Sequence, residues 1–145
     1  MQPIVCATRG GEASRRTQER AAALAKERGA SLVFLYVADC GFAGPLSPTL
    51  ETAMNDELMR LGGSLVSIAK VRAQEQGVDA QVVVLCGEVR KSIQEYLRQV
   101  DAGMLVIGAS RPAPEVETSH RGSVDAFADA IRQATGVEVV IVGPD

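Results

Sequence analysis

The chain has 145 residues, 46% of them apolar and 23% charged, and carries a net charge of −3. That is the length of one domain with enough apolar residue for a core, which excludes a disordered chain. The acidic balance excludes a general nucleic-acid binder, which needs a basic face to neutralise phosphates.

No apolar stretch approaches the length of a membrane span, and no basic-then-apolar leader opens the sequence. A cytoplasmic protein with no membrane partner is expected. With two Tyr, three Phe and no Trp, the core has to be built from aliphatic side chains. The three cysteines, Cys6, Cys40 and Cys86, show no Cys-x-x-Cys spacing and read as free thiols. Cys6 and Cys86 lie in apolar runs and are expected in the core, with Cys40, beside Gly41, the reachable one.

Residues 4–7 (IVCA) form an apolar run too short for a helix and suited to a buried strand. After Thr8-Arg9-Gly10-Gly11, Thr17, Ala21, Leu24 and Ala25 mark the inner face of a helix that ends at Gly29, with Arg16, Glu19, Arg20 and Glu27 on its solvated side. Residues 31–37 (SLVFLYV) are β-branched and aromatic, the clearest strand in the chain. Residues 39–47 read as loop, with Ser47 as a helix cap and Pro48 at the first helical position.

From there Leu50, Met54, Leu58, Leu61, Leu65 and Ile68 step by three or four, which predicts a long amphipathic helix reaching about Gln76. Gly62 and Gly63 lie inside it, each costing about 1 kcal/mol relative to Ala. Close packing against another backbone, or a kink, would offset that cost. A third strand over 78–85 leads through Cys86-Gly87-Glu88 to a helix with Val89, Ile93, Leu97 and Val100 inward. A fourth strand (104–107), a last helix ending at Gly136 and a fifth strand over 137–142 complete the chain. Strict alternation of strand and helix implies an α/β fold: one parallel sheet covered on both faces.

The stretch from Met104 to Ser123 carries the chemistry. A buried strand breaks at Gly108, a polar loop of about fourteen residues follows, and Arg121-Gly122-Ser123 leads into Val124, Phe127 and Ile131 at helical spacing. Such an order aims unpaired backbone N–H groups and the positive end of a helix dipole at whatever lies above the strand, a seat for an anion. In an open parallel sheet, ligands sit beyond the carboxyl ends of the strands where strand order reverses. The residues so placed are 8–11, 37–40, Gly87-Glu88 and those from Gly108 onward.

On these residues the chain resembles the universal stress protein family. The first run ends in Ala7-x-x-Gly10, the second in Tyr36-Val37, Gly87-Glu88 precedes a helix, and Val106-Ile107-Gly108 closes the fourth strand. The likeness runs from about residue 2 to 143. It implies one domain over 1–145, a doubly wound, Rossmann-like five-stranded parallel sheet of order 3-2-1-4-5, and a homodimer through strand 137–142. That last strand is apolar apart from Glu138, and an exposed edge of that kind seeks a partner.

The family's nucleotide-binding members carry Gly-x-x-Gly, nine residues, then Gly-Ser or Gly-Thr. Gly108 matches the first glycine and Gly122-Ser123 the closing pair. Arg111 replaces the second glycine, and ten residues rather than nine precede Gly122. Pro112 biases Arg111 toward extended conformations, so a left-handed turn there is disfavoured. The family's acidic residue at the end of the first strand aligns with Arg9, which exchanges an acceptor for a five-donor cation suited to phosphate or carboxylate.

The resemblance therefore implies a small phosphorylated ligand, ATP or another adenine nucleotide with magnesium possible beside it. Main-chain amides after Gly108 and around Gly122, Ser123 and Val124 would hold the phosphates, and Ala7 and Val37 would flank the base. Thr8 and Gly10 stand in the same turn, and Arg9, Arg111 and Arg121 add charge. The competing expectation is that these arginines pair with Glu12, Asp39, Glu115, Glu117 or Asp125 and leave a degenerate, ligand-free interaction module. A slow nucleotide hydrolase would need a metal-holding carboxylate, for which only Asp39 or Glu88 offers itself. His120, the sole histidine, has nothing in the sequence to orient it as a base.

Overall fold

The computed structural model describes residues 2–8, 11–38, 47–109 and 117–143, with the backbone alone described for 11–13 and 117–124. The elements run β1 (Ile4–Ala7), α1 (Gly11–Arg28), β2 (Leu32–Ala38), α2 (Pro48–Glu75), β3 (Ala80–Cys86), α3 (Val89–Gln99), β4 (Met104–Gly108), α4 (Glu117–Thr135) and β5 (Glu138–Val142). The five strands form one parallel sheet in the order β3-β2-β1-β4-β5. The expected topology is the observed one, and each of the expected strands lies within two residues of its expected bounds.

Both faces of the sheet are covered, because the helices after β1 and β2 lie on one face and those after β3 and β4 on the other. One apolar layer joins Ile4, Cys6, Leu32, Phe34, Met104 and Val106 to α1 and α2. The other joins Val5, Val33, Leu35, Leu105 and Ile107 to α3 and α4. Consecutive residues of each strand serve opposite layers, as the pleat requires. The inner face of α1 is the predicted one: Thr17, Ala21, Leu24 and Ala25 are all buried. Gly29, at φ 65°, ends that helix in the left-handed conformation.

Helix α2 begins as expected and then packs by the other face. Ser47 caps it, its hydroxyl accepting from the Leu50 amide at 3.2 Å, and Pro48 occupies the first turn. The side chains turned to the sheet are Gly62, Val66, Ala69 and Ala73. Of the predicted stripe, Leu50, Leu61 and Ile68 lie outside, each about half exposed, while Met54, Leu58 and Leu65 are partly buried. The reason is distance. A Cβ at Gly62 would fall on the Tyr36 ring, 2.8 Å from Cε1 and nearer still to Cδ1, so only a glycine lets the helix reach β2 at that level. Close packing accounts for Gly62. Gly63 meets nothing within 4 Å and has no such reason.

Among the cysteines, Cys6 is buried and free as expected. Cys86 departs from expectation: it ends β3 in an exposed position and is disulfide-bonded. The run that suggested a core position is the edge strand of the sheet, and after Ala80 none of its residues is buried. Cys40 lies outside the described residues.

Candidate functional site

Strand order reverses between β1 and β4, which diverge to connections on opposite faces of the sheet. The crevice of a doubly wound sheet opens at that point, above the carboxyl ends of the two strands. Four predicted site residues are described there: Ala7, Thr8, Val37 and Gly108. Cys6 pairs with Val106, and continuing that register sets Thr8 beside Gly108. The Thr8 amide donates to the Leu35 carbonyl at 2.9 Å, extending the β1–β2 ladder past the strand. Ala7 and Val37 pack with Leu85 and Val89 against the layer shared with α3 and α4. They form a partly buried apolar wall on that side of the crevice.

The floor is held from behind by polar groups. Gln18, 3% exposed, donates through Nε2 to the Thr8 hydroxyl at 2.9 Å, and its Oε1 accepts from Arg72 Nη1 at 3.3 Å. Gln18 was not picked out from the sequence. Its signal was only that it follows Thr17 on the inner side of α1, where a buried polar group needs a partner. Thr17 itself backs onto Gly108: a Cβ there would lie 2.7 Å from Thr17 Oγ1. The glycine at the end of β4 is thus required by the packing of α1, whatever else it does.

The N-termini of α3 and α4 differ in what they offer an anion. At α3 the cap is Glu88, whose carboxylate accepts from the amides of Arg90 (3.1 Å) and Lys91 (2.8 Å). Its own side chain already satisfies that terminus, and one of the two carboxylates the sequence offers a metal is thereby engaged. Arg90 then lies over the Phe127 ring at 5.5 Å, bridging α3 and α4. Helix α4 starts at Glu117, not after Ser123 as the sequence suggested. Arg121, Gly122, Ser123 and Val124 therefore fall beyond its first four residues, where backbone amides are bonded within the helix.

Arg9, Gly10 and Arg111 lie outside the described residues, as do Asp39 and Glu115; for Arg121 to Val124, and for His120, only the backbone is described. No group of three or more His, Cys, Asp or Glu suited to a metal occurs among the described residues. Nor is any described helix long and apolar enough to cross a membrane.

A doubly wound five-stranded sheet with its crevice between β1 and β4 defines a class of α/β proteins that take ligands at the strand ends. Within that class, the sequence matches the Universal stress protein family over residues 1–143, and the chain belongs to that family. No curated protein matches it.

Solved structures share the fold at low identity. A universal stress protein in complex with cAMP is 20% identical at a TM-score of 0.73, with 99% of this chain and 98% of that one covered. The Archaeoglobus fulgidus universal stress protein in complex with dAMP is 18% identical at 0.65, with 98% of each chain covered. A universal stress protein family protein from Arabidopsis thaliana with AMP bound is 16% identical at 0.64, with 100% and 93% covered.

Proposed function

We propose that this protein is a binding module that holds an adenine nucleotide, ATP among the candidates, or a related phosphorylated ligand in the crevice between β1 and β4. The observation that carries this reading is the meeting of Ala7, Thr8, Val37 and Gly108 at one end of the sheet, at the topological switch point. Three structures of the same fold hold cAMP, dAMP or AMP. Ala7 and Val37 would flank the base, and the turn of Thr8, Arg9 and Gly10 would approach the ligand beside them. Arg9, Arg111 and Arg121 would supply positive charge in an otherwise acidic protein.

For the amides of Gly122, Ser123 and Val124 to meet phosphate oxygens, α4 has to give up its first turn and begin near Gly122. Ligand binding would provide the free energy for that change, and magnesium would accompany a triphosphate. The same reading takes the protein as cytoplasmic and regulatory, and as a homodimer through strand 137–142. Such pairing would have to displace Arg132, whose Nη2 donates to the Val139 carbonyl at 2.9 Å on the outer edge of β5.

A second reading is favoured by one observation, the start of α4 at Glu117. A helix that keeps those amides to itself suits a ligand-free interaction module with a degenerate site. A slow hydrolase finds less support, since Glu88 serves as a helix cap.

Thermal-shift measurements with ATP, ADP, AMP and cAMP, with and without magnesium, separate these. A ligand at about 100 times its Kd stabilises by about 2.7 kcal/mol, a rise of several degrees. Arg111→Gly should change the ligand preference and Arg9→Asp should restore contacts to the base. No rise with any nucleotide, in the wild type or in either variant, sinks the nucleotide reading. Phosphate release that persists above a Ser123→Ala control would be required before the protein is called an enzyme.

A further inference from the structure

We propose that Cys40 and Cys86 form a reversible, redox-controlled disulfide that sets the stability of the first half of α2, residues 48–61. The chain holds three cysteines. Cys6 is free and Cys86 is disulfide-bonded, so within one chain the partner of Cys86 is Cys40. Ala38 stands opposite Cys86 in the β2–β3 ladder, and the Gly87 amide donates to the Ala38 carbonyl at 2.9 Å. Cys40 follows two residues later, within reach of the about 4.4–6.8 Å that a disulfide spans between Cα atoms.

Three features make this a reversible bond and not a fixture of the fold. Cys86 is exposed at the end of an edge strand, where a thiolate can reach its sulfur. The ladder beside it does not depend on the bond, since every residue of β3 pairs with β2 and Glu88 caps the helix that follows. The third cysteine is kept from scrambling the pair, because Cys6 is buried in β1 and burial pushes its thiol up to about 12.

What the bond holds is α2. It closes residues 40–86 into a ring that contains all of α2 and β3. The buried residues of α2 begin at Gly62; from Pro48 to Leu61 none is buried. That half has little core contact of its own, so its stability depends on how its leading end is tied down. Closing a ring takes freedom from the open chain, and a long ring takes more than a short one.

The chemistry is thiol–disulfide exchange with a low-molecular-weight disulfide, RSSR. The Cys86 thiolate attacks one sulfur of RSSR and expels RS−. The Cys40 thiolate then attacks Sγ of Cys86 in the mixed disulfide and expels the second RS−. Two protein thiols lose two electrons and two protons, and RSSR leaves as two RSH. Excess RSH runs the same steps backward.

The test equilibrates the full chain in buffers of glutathione and its disulfide. Protein then quenched in acid, denatured and alkylated should carry one labelled cysteine, Cys6, from the disulfide-rich buffer and three from excess glutathione. On reduction, amide hydrogen exchange over 48–61 should speed up at least about tenfold, while 66–75 keeps its protection. Cys40→Ser and Cys86→Ser should each show the fast exchange in both buffers, and Cys6→Ala should leave the switch intact. A bond that never forms in the disulfide-rich buffer, or that maps to Cys6, overturns the pairing. One that survives about a thousandfold excess of glutathione is structural and overturns the switch. Exchange over 48–61 that is the same in both buffers overturns the role given to α2.

Discussion

The two adjacent glycines of α2 should respond to the same substitution with opposite signs. At Gly63 an added methyl meets nothing within 4 Å, and the residue is helical, so Gly63→Ala gains the propensity difference alone, about 1 kcal/mol. At Gly62 that gain is outweighed. The methyl would lie within 3 Å of the Tyr36 ring, in the body of the ring and not at a flexible tip, so the ring or the helix has to move. Overpacking of this kind costs about 1–3 kcal/mol, which leaves a net loss of about 1 kcal/mol for Gly62→Ala. For a chain of this length each kilocalorie shifts Tm by about 3 °C. Urea melts of the wild type and both variants should therefore place Gly63→Ala above the wild type and Gly62→Ala below it, at unchanged m-values. Equal shifts of the same sign would refute the reasoning, because they would mean that α2 does not lie on β2 by the Gly62 face.

Two further outcomes follow from particular contacts. Removing the guanidinium in Arg132→Ala uncovers the Val139 carbonyl on the outer edge of β5 and should raise self-association through that edge, read by light scattering against concentration; no change would show that the contact does not guard the strand. Burial pushes the Cys6 thiol up from its ordinary 9.0 to about 12, so it should resist thiol reagents at pH 8 until the protein unfolds. Because the folded protein holds this proton more tightly than the unfolded chain, its contribution to stability is complete below about pH 9 and is lost as pH rises toward 12. A Cys6→Ala variant that loses stability over the same window to the same extent would refute that assignment.

Much of the fold was legible because period and punctuation agree along most of the chain. Ser47-Pro48, Gly29 and Gly136 mark helix ends where they were expected, and the β-branched runs are the strands. The face of α2 was not legible, since two stripes share the helix. The larger aliphatic one attracts attention, but the small one of Gly62, Val66, Ala69 and Ala73 wins because the sheet beneath carries Phe34 and Tyr36 and needs a thin partner. Helix α4 was also read too short. The glycine and serine at 122–123 suggested a terminus, yet both are tolerated inside a helix whose start lies at Glu117. Of the predicted site, Ala7, Thr8, Val37 and Gly108 follow directly from topology, because strand ends converge wherever order reverses. Gln18 does not, because one glutamine on a helix looks like any other until the group it faces is known.

The hydrogen-bonded line from Arg72 through Gln18 to Thr8 has a consequence for anything that settles above β1. Thr8 is 6% exposed, and its side chain is held from beneath by groups of two helices. The end of β1 is thereby anchored in advance, and a ligand settling above it would spend no affinity on ordering that residue.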